Sequence, residues 1–217
     1  MTLYEIPGDA EINRGLIGYF KLDDMKAGSA ITTAVDRAGF EDGVITDGAN
    51  ADGVNGLNPD ALDFNGTTST VVSSSVPNVT EGSVSLWFKR DSAPATATNL
   101  INFDQSYLEI DFVSSKIRGV FYDTGTWKTT ISTADVKQGV WQHVVMTWKE
   151  NDYLKLYVDG EFDTKTAITT YQQGALTGTQ IGWLAVADFF EGQVQNVRTY
   201  DRVLTASEVS KITRWKL

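Results

Sequence analysis

Short runs in which apolar and polar residues alternate, separated by turn-forming pairs, dominate this chain. In Ser83 to Lys89 (SVSLWFK), Val84, Leu86 and Phe88 alternate with Ser85, Trp87 and Lys89, and in LKLYVDG the residues Leu154, Leu156 and Val158 share one face. Period two over so few residues predicts strands rather than helices. The same reading predicts strands at Leu16 to Leu22, Leu62 to Phe64, Leu108 to Phe112, Ile117 to Tyr122, Trp141 to Trp148, Tyr153 to Val158, Gln180 to Leu184 and Gly192 to Tyr200, all rich in β-branched and aromatic residues. Asn65-Gly66, Asp123-Thr124-Gly125, Asn151-Asp152 and Asp159-Gly160 supply the turns, and the last two bracket YLKLYV in an antiparallel meander of three strands. One helix is predicted near residues 205–213, where Thr205-Ala206-Ser207-Glu208 has capping-box spacing and is followed by Val209 and Ile212. About a dozen strands with a single terminal helix define an all-β antiparallel sandwich or barrel.

Two segments fall outside this pattern. Asp36 to Asp60 is rich in Gly, Asp and Asn and reads as a long loop or as short strands joined by turns. Residues 1–14 precede the first clear strand and are expected to form an N-terminal arm, either pairing with a neighbouring subunit or frayed; residues 15–217 form the domain.

Composition narrows the chemistry. The 217 residues carry a net charge of −10, which argues against nucleic acid or an anionic membrane as partner. No cysteine is present, so disulfides, thiolate metal sites and thiol nucleophiles are excluded. The single histidine, His143, lies among Trp141, Val144, Val145 and Trp148 and is read as a structural strand residue. No stretch approaches the roughly 18 apolar residues of a membrane helix, and the first residues lack the basic start and apolar run of a signal peptide. The chain is therefore expected to be a complete, soluble, cytoplasmically made product without membrane insertion.

Six segments in order resemble the concanavalin A-like jelly-roll domains, most closely the laminin-G-like branch: GLIGYFKLDD (Gly15 to Asp24), ALDFNGTTSTV (Ala61 to Val71), GSVSLWFKRD (Gly82 to Asp91), GVWQHVVMTW (Gly139 to Trp148), LKLYVDGE (Leu154 to Glu161) and IGWLAVADFFEGQVQNVRTYDRVLTASEV (Ile181 to Val209). The resemblance implies a jelly-roll sandwich over roughly residues 15–213. It leaves function open, because this fold hosts lectins, hydrolases and structural modules.

Three chemistries follow from the resemblance. Glucanases of this fold carry Glu-x-Asp-x-Glu or Glu-x-Asp-x-x-Glu on one strand. Here Glu109 and Asp111 match the first two acids, but Val113 and Ser114 stand where the second glutamate belongs, so no enzyme is expected and both acids are read as solvent-facing. Relatives also hold calcium at a sandwich edge. The acidic loop offers oxygen ligands, with Asp36 and Asp52 the candidates for a calcium ion, whereas Gln195 and Asn196 stand on the closing strand where many relatives carry an acid. A sugar site would combine an aromatic platform with polar loop groups, for which Trp127, Trp183, Asp188 and Tyr171 are the candidates.

The expected role is a non-catalytic virion component, in a phage head decoration or tail fibre, for surface attachment or assembly and with glycan binding as a companion property. A soluble, calcium-assisted lectin module is the alternative, and a glycoside hydrolase the least favoured. The expected partners are other virion or surface proteins and glycans, with homo-oligomerisation through the arm, and the expected location is the virion.

Overall fold

Two-residue turns set the register of this molecule. Thr124-Gly125 and Asp159-Gly160 both have positive φ at both positions (43° and 84°; 51° and 88°), as required by the tight hairpin turn whose twist matches the strands it joins. The computed structural model describes residues 10–22, 32–46, 61–91, 98–103, 108–172, 176–184 and 188–214. The elements run in the order β1 (Leu16–Phe20), β2 (Thr33–Ala34), β3 (Gly43–Thr46), β4 (Leu62–Asn65), β5 (Thr70–Ser73), β6 (Glu81–Arg90), β7 (Thr98–Asn102), β8 (Leu108–Val113), β9 (Lys116–Asp123), β10 (Thr126–Ile131), β11 (Gln142–Lys149), β12 (Tyr153–Val158), β13 (Glu161–Ala167), β14 (Thr179–Ile181), β15 (Glu191–Tyr200) and α1 (Ala206–Arg214).

They form two antiparallel sheets. The seven-stranded sheet has the order β1-β15-β6-β11-β12-β13, with β4 pairing the first half of β15, and the eight-stranded sheet runs β10-β9-β8-β7-β14-β5-β3-β2. Strand β15 accommodates β4 and β1 in succession along one edge because a bulge between Gln195 and Arg198, with Asn196 at φ 55°, breaks its register on β6. The inward faces of the two sheets bury one continuous core, in which Leu86, Phe88 and Leu156 of one sheet meet Ile110, Phe112 and Phe121 of the other. The antiparallel sandwich with one short C-terminal helix is thus as the alternation predicts.

The outer face of the seven-stranded sheet is not open. Helix α1 and Ile12 cover it through a second cluster with Tyr19, Val145, Tyr157 and Tyr200. The helix begins in the predicted capping box: Thr205 N–H donates to Glu208 Oε2 at 2.8 Å, and Glu208 N–H donates to Thr205 Oγ1 at 3.3 Å. Although burial raises its pKa, the Glu208 carboxyl is held down to about 2 by Arg202, 2.7 Å away, and by Thr205. His143 has the structural role expected of it. Wholly buried, it bonds Ser85 Oγ through Nε2 (2.9 Å) and Thr213 Oγ1 through Nδ1 (2.7 Å), tying β6 to the helix. Residues 10–14 belong to the same covering layer, since the carbonyls of Glu11, Ile12 and Arg14 accept from Arg202. This part of the arm packs on its own domain; residues 1–9 lie outside the described residues.

Candidate functional site

The outer face of the eight-stranded sheet carries the chemistry. On β8, Leu108, Ile110 and Phe112 point into the core, so Glu109 and Asp111 point outward. The two-residue connection Ser114-Ser115 pairs Asp111 with Arg118 and Glu109 with Val120 on β9. The Thr124-Gly125 turn then places Thr129 opposite Val120 and Trp127 opposite Tyr122 on β10. Cross-strand neighbours on one face lie within side-chain contact. These residues, with Leu184 and Asp188 from the segment between β14 and β15, line a cavity of about 270 Å³.

The reading of Glu109 and Asp111 as solvent-facing acids is corrected here. They are 3% and 4% exposed. Alternation identifies them as outward residues, but Arg118, Trp127, Leu184 and Asp188 line the same cavity around them, and the Asn99 N–H, donating to the Asp188 carbonyl (3.1 Å), holds the 188–190 segment beside β7. Arg118 clamps Asp111 with two parallel hydrogen bonds, Nε to Oδ1 at 2.8 Å and a second terminal-nitrogen contact to Oδ2. Burial lifts the Asp111 carboxyl above the usual carboxylate range against the opposing pull of Arg118. Glu109 has no such partner. Burial first, then the neighbouring charge of Asp111, push its carboxyl up to about 8, with Arg118 and a 2.7 Å hydrogen bond from Asn99 Nδ2 acting the other way and Asp188 adding to the rise. At neutral pH Glu109 is therefore a neutral carboxylic acid that can donate a proton as well as accept one.

Behind Glu109 lies a chain of amides. Asn102 Nδ2 donates to Asn99 Oδ1 (3.1 Å) and to the Trp183 carbonyl (2.8 Å), while the wholly buried Asn102 Oδ1 has no hydrogen-bond partner among the described residues. On the rim, Trp127 is 57% exposed, with its ring edge-to-face on Tyr122 at 4.9 Å between centroids. The site thus combines an open indole, a proton-donating acid, an Arg-clamped carboxylate and a second carboxylate at Asp188.

Of the four residues singled out for sugar binding, Trp127 and Asp188 come together in this cavity. Trp183 stands beside it: the carbonyl of Trp183 is fixed by Asn102, its ring lies 6.4 Å from that of Phe189, and its neighbour Leu184 lines the wall. Tyr171 is placed elsewhere. It is buried in the core against Phe121 (5.4 Å between rings), and its backbone N–H donates to Glu150 at 2.7 Å, so its ring faces no solvent. The loop acid Asp36 is also enclosed, where its two oxygens accept the backbone N–H groups of Tyr19 (2.7 Å), Ala38 (2.9 Å), Phe40 (3.1 Å) and Glu41 (3.2 Å). That is the environment of a carboxylate organising a turn, in contrast to the open oxygen cage a calcium ion needs. Asp52, the other calcium candidate, lies outside the described residues. Among the described residues no three of His, Asp and Glu gather as a metal site.

Arg118, Asn99, Thr129 and Leu184 are pocket or supporting residues that the sequence reading missed. A signal for Arg118 was present: a turn at Ser114-Ser115 forces Asp111, three before the turn, to face Arg118, three after it.

Residues 64–210 match the family described as the concanavalin A-like lectin/glucanases superfamily. No curated protein matches the chain. Among solved structures, the fold is similar to the botulinum neurotoxin serotype D ligand-binding domain in complex with N-acetylneuraminic acid (TM-score 0.73, 16% identity, 94% of this chain and 52% of that one). It is similar also to botulinum neurotoxin type C, in a structure on cell entry through interaction with two ganglioside molecules (TM-score 0.75, 12% identity, 96% and 53%), and to Trypanosoma rangeli sialidase in complex with sialic acid (TM-score 0.68, 17% identity, 92% and 33%). The chain spans about half the length of the toxin chains and a third of the sialidase. At these identities the likeness is one of fold. The family match, which spans more than half of the chain and runs from within β4 to within α1, shows that this protein belongs to the concanavalin A-like lectin/glucanases superfamily.

Proposed function

We propose that the protein is a non-catalytic glycan-binding domain whose combining site is the cavity lined by β8, β9, β10, Leu184 and Asp188. The observation that carries this reading is Trp127, an indole more than half exposed at the rim of a cavity whose floor is made of carboxyl groups. A pyranose has an apolar face of C–H groups and an edge of hydroxyls. An indole offers the first a flat contact, and Glu109 and Asp188 offer the second strong hydrogen-bonding partners. Support for the sugar class comes also from the proteins of similar fold, which include a toxin ligand-binding domain solved with N-acetylneuraminic acid and a sialidase solved with sialic acid.

Hydrolysis is not part of the proposal. A retaining glycosidase needs an acid and a free carboxylate nucleophile about 5 Å apart. Here both oxygens of Asp111 are held by Arg118, and Val113 occupies the next outward position on β8. The virion or surface setting expected from the sequence belongs to the same proposal. A cysteine-free sandwich keeps the same covalent structure in reducing and oxidising surroundings and so is compatible with that setting, and mass spectrometry of purified particles tests it.

Screening the protein against an immobilised glycan array tests the binding function. Saturable binding that falls about tenfold in Trp127→Ala, a loss of about 1.4 kcal/mol, is expected. Absence of binding across a broad array contradicts the proposal.

A further inference from the structure

The cavity also constrains which sugars it can hold; this inference rests on the glycan-binding function proposed above. We propose that the site takes an uncharged sugar ring and rejects glycans that would bring a carboxylate or sulfate into the pocket, in contrast to the sialic acid held by proteins of similar fold.

The argument begins with the side chains that face Glu109 from each packed element: Asp111 on its own strand, Arg118 on β9, Asn99 on β7 and Asp188 from the connection into β15. Arg118 is the one basic side chain among the described lining residues, and the fork formed by its Nε and one terminal nitrogen is engaged by Asp111. Its single positive charge is matched by that carboxylate, so the pair adds no net positive charge to the cavity. Asp188 then leaves an uncompensated negative group on the wall. An anionic sugar entering the cavity would meet it across a few ångströms of partly desolvated space, where like charges repel strongly. Rejection therefore comes from a built-in unpaired charge rather than from shape.

The positive side of the selectivity comes from Glu109. Burial keeps it protonated at neutral pH, so it donates its O–H to a sugar oxygen while Asn99 holds its other oxygen. Ionisation above pH 8 removes that donor and adds a second negative charge. Glu109→Gln keeps a donor and an acceptor of nearly the same shape without an ionisable proton.

The test uses the full chain on an array of neutral oligosaccharides, each printed beside its sialylated and sulfated forms, read at pH 7 and pH 9. The expected result is binding to neutral members at pH 7, at least about tenfold weaker binding to their anionic forms, and weaker neutral binding at pH 9. Glu109→Gln should abolish the difference between pH 7 and pH 9, whatever the level of binding it retains. Asp188→Asn should narrow the gap between neutral and anionic forms. Preferred binding of sialylated or sulfated members overturns this inference and leaves the glycan-binding function standing. Absence of binding to every member overturns that function and this inference with it.

Discussion

Glu109→Gln should stabilise the protein, and by an amount that depends on pH in a defined way. In the unfolded chain the Glu109 carboxyl titrates near its ordinary 4.5, whereas burial and the Asp111 charge move it to about 8 in the fold. Below pH 4.5 the group is protonated in both states and affects stability equally in each. Between 4.5 and 8 the unfolded state ionises and gains hydration while the native state does not, so native stability falls as pH rises; above 8 both are ionised and the loss is complete. At about 1.36 kcal/mol per pH unit the loss reaches about 2 kcal/mol at pH 6 and up to about 5 kcal/mol above pH 8, an upper bound because water penetration and local relaxation reduce it. Glutamine fits the same space, still accepts from Asn99 and has no such dependence. Urea unfolding of both proteins at pH 4, 6 and 8 measures the effect by difference, in which titrations of groups not coupled to Glu109 cancel. The expected advantage of the variant grows by at least about 2 kcal/mol from pH 4 to pH 8. Parallel profiles would show that Glu109 is not held protonated by its surroundings and would refute the account of the pocket floor.

Other substitutions probe the parts that position the site. Arg118→Met removes the clamp and strands the buried Asp111, so unfolding should cost about 3–5 kcal/mol less, with most of the loss restored in the double variant Arg118→Met/Asp111→Leu; thermal melts of the three variants check this. Gly82→Ala places a methyl carbon 2.3 Å from the indole of the fully buried Trp148, which should destabilise the sandwich by about 1–3 kcal/mol in chemical denaturation. Glu208→Gln weakens the helix cap and its bond to Arg202. Because the native carboxyl is depressed to about 2, the stability it supplies is present above pH 4.5 and fades as pH falls towards 2, so the deficit of the variant should shrink over that range.

Much of the architecture was legible because period-two alternation and two-residue turns are local properties. The meander from β11 to β13 and the capping box at Thr205 follow from a few adjacent residues each. The strands that escaped notice are instructive. β7, TNLIN, carries Asn99 and Asn102 because one of its faces supports Glu109, so a functional requirement erased the apolar signature of a central strand. β2 is only two residues long, and the four-residue β3 lies in the Asp36 to Asp60 segment, rich in Gly, Asp and Asn, which reads equally as a long loop or as short strands joined by turns. For the site, alternation distinguished the two faces of β8 but could not reveal that Leu184 and Asp188, more than 70 residues later, line the same cavity. The same limit explains Tyr171: whether an aromatic after a strand lies over or under the sheet depends on which core it meets, here Phe121. Trp127 was legible because an edge-strand aromatic directly after a tight turn has little chain available to bury it.

The central claim is that the cavity on β8, β9 and β10 is the combining site. It is tested most directly by mapping backbone amide NMR shifts while titrating with a neutral oligosaccharide that binds on the array. The account predicts saturable shifts clustered at Glu109, Asp111, Trp127 and Asp188, abolished together in Trp127→Ala. Shifts centred instead on the helix α1 face or around Asp36, with those four residues unmoved, would contradict it.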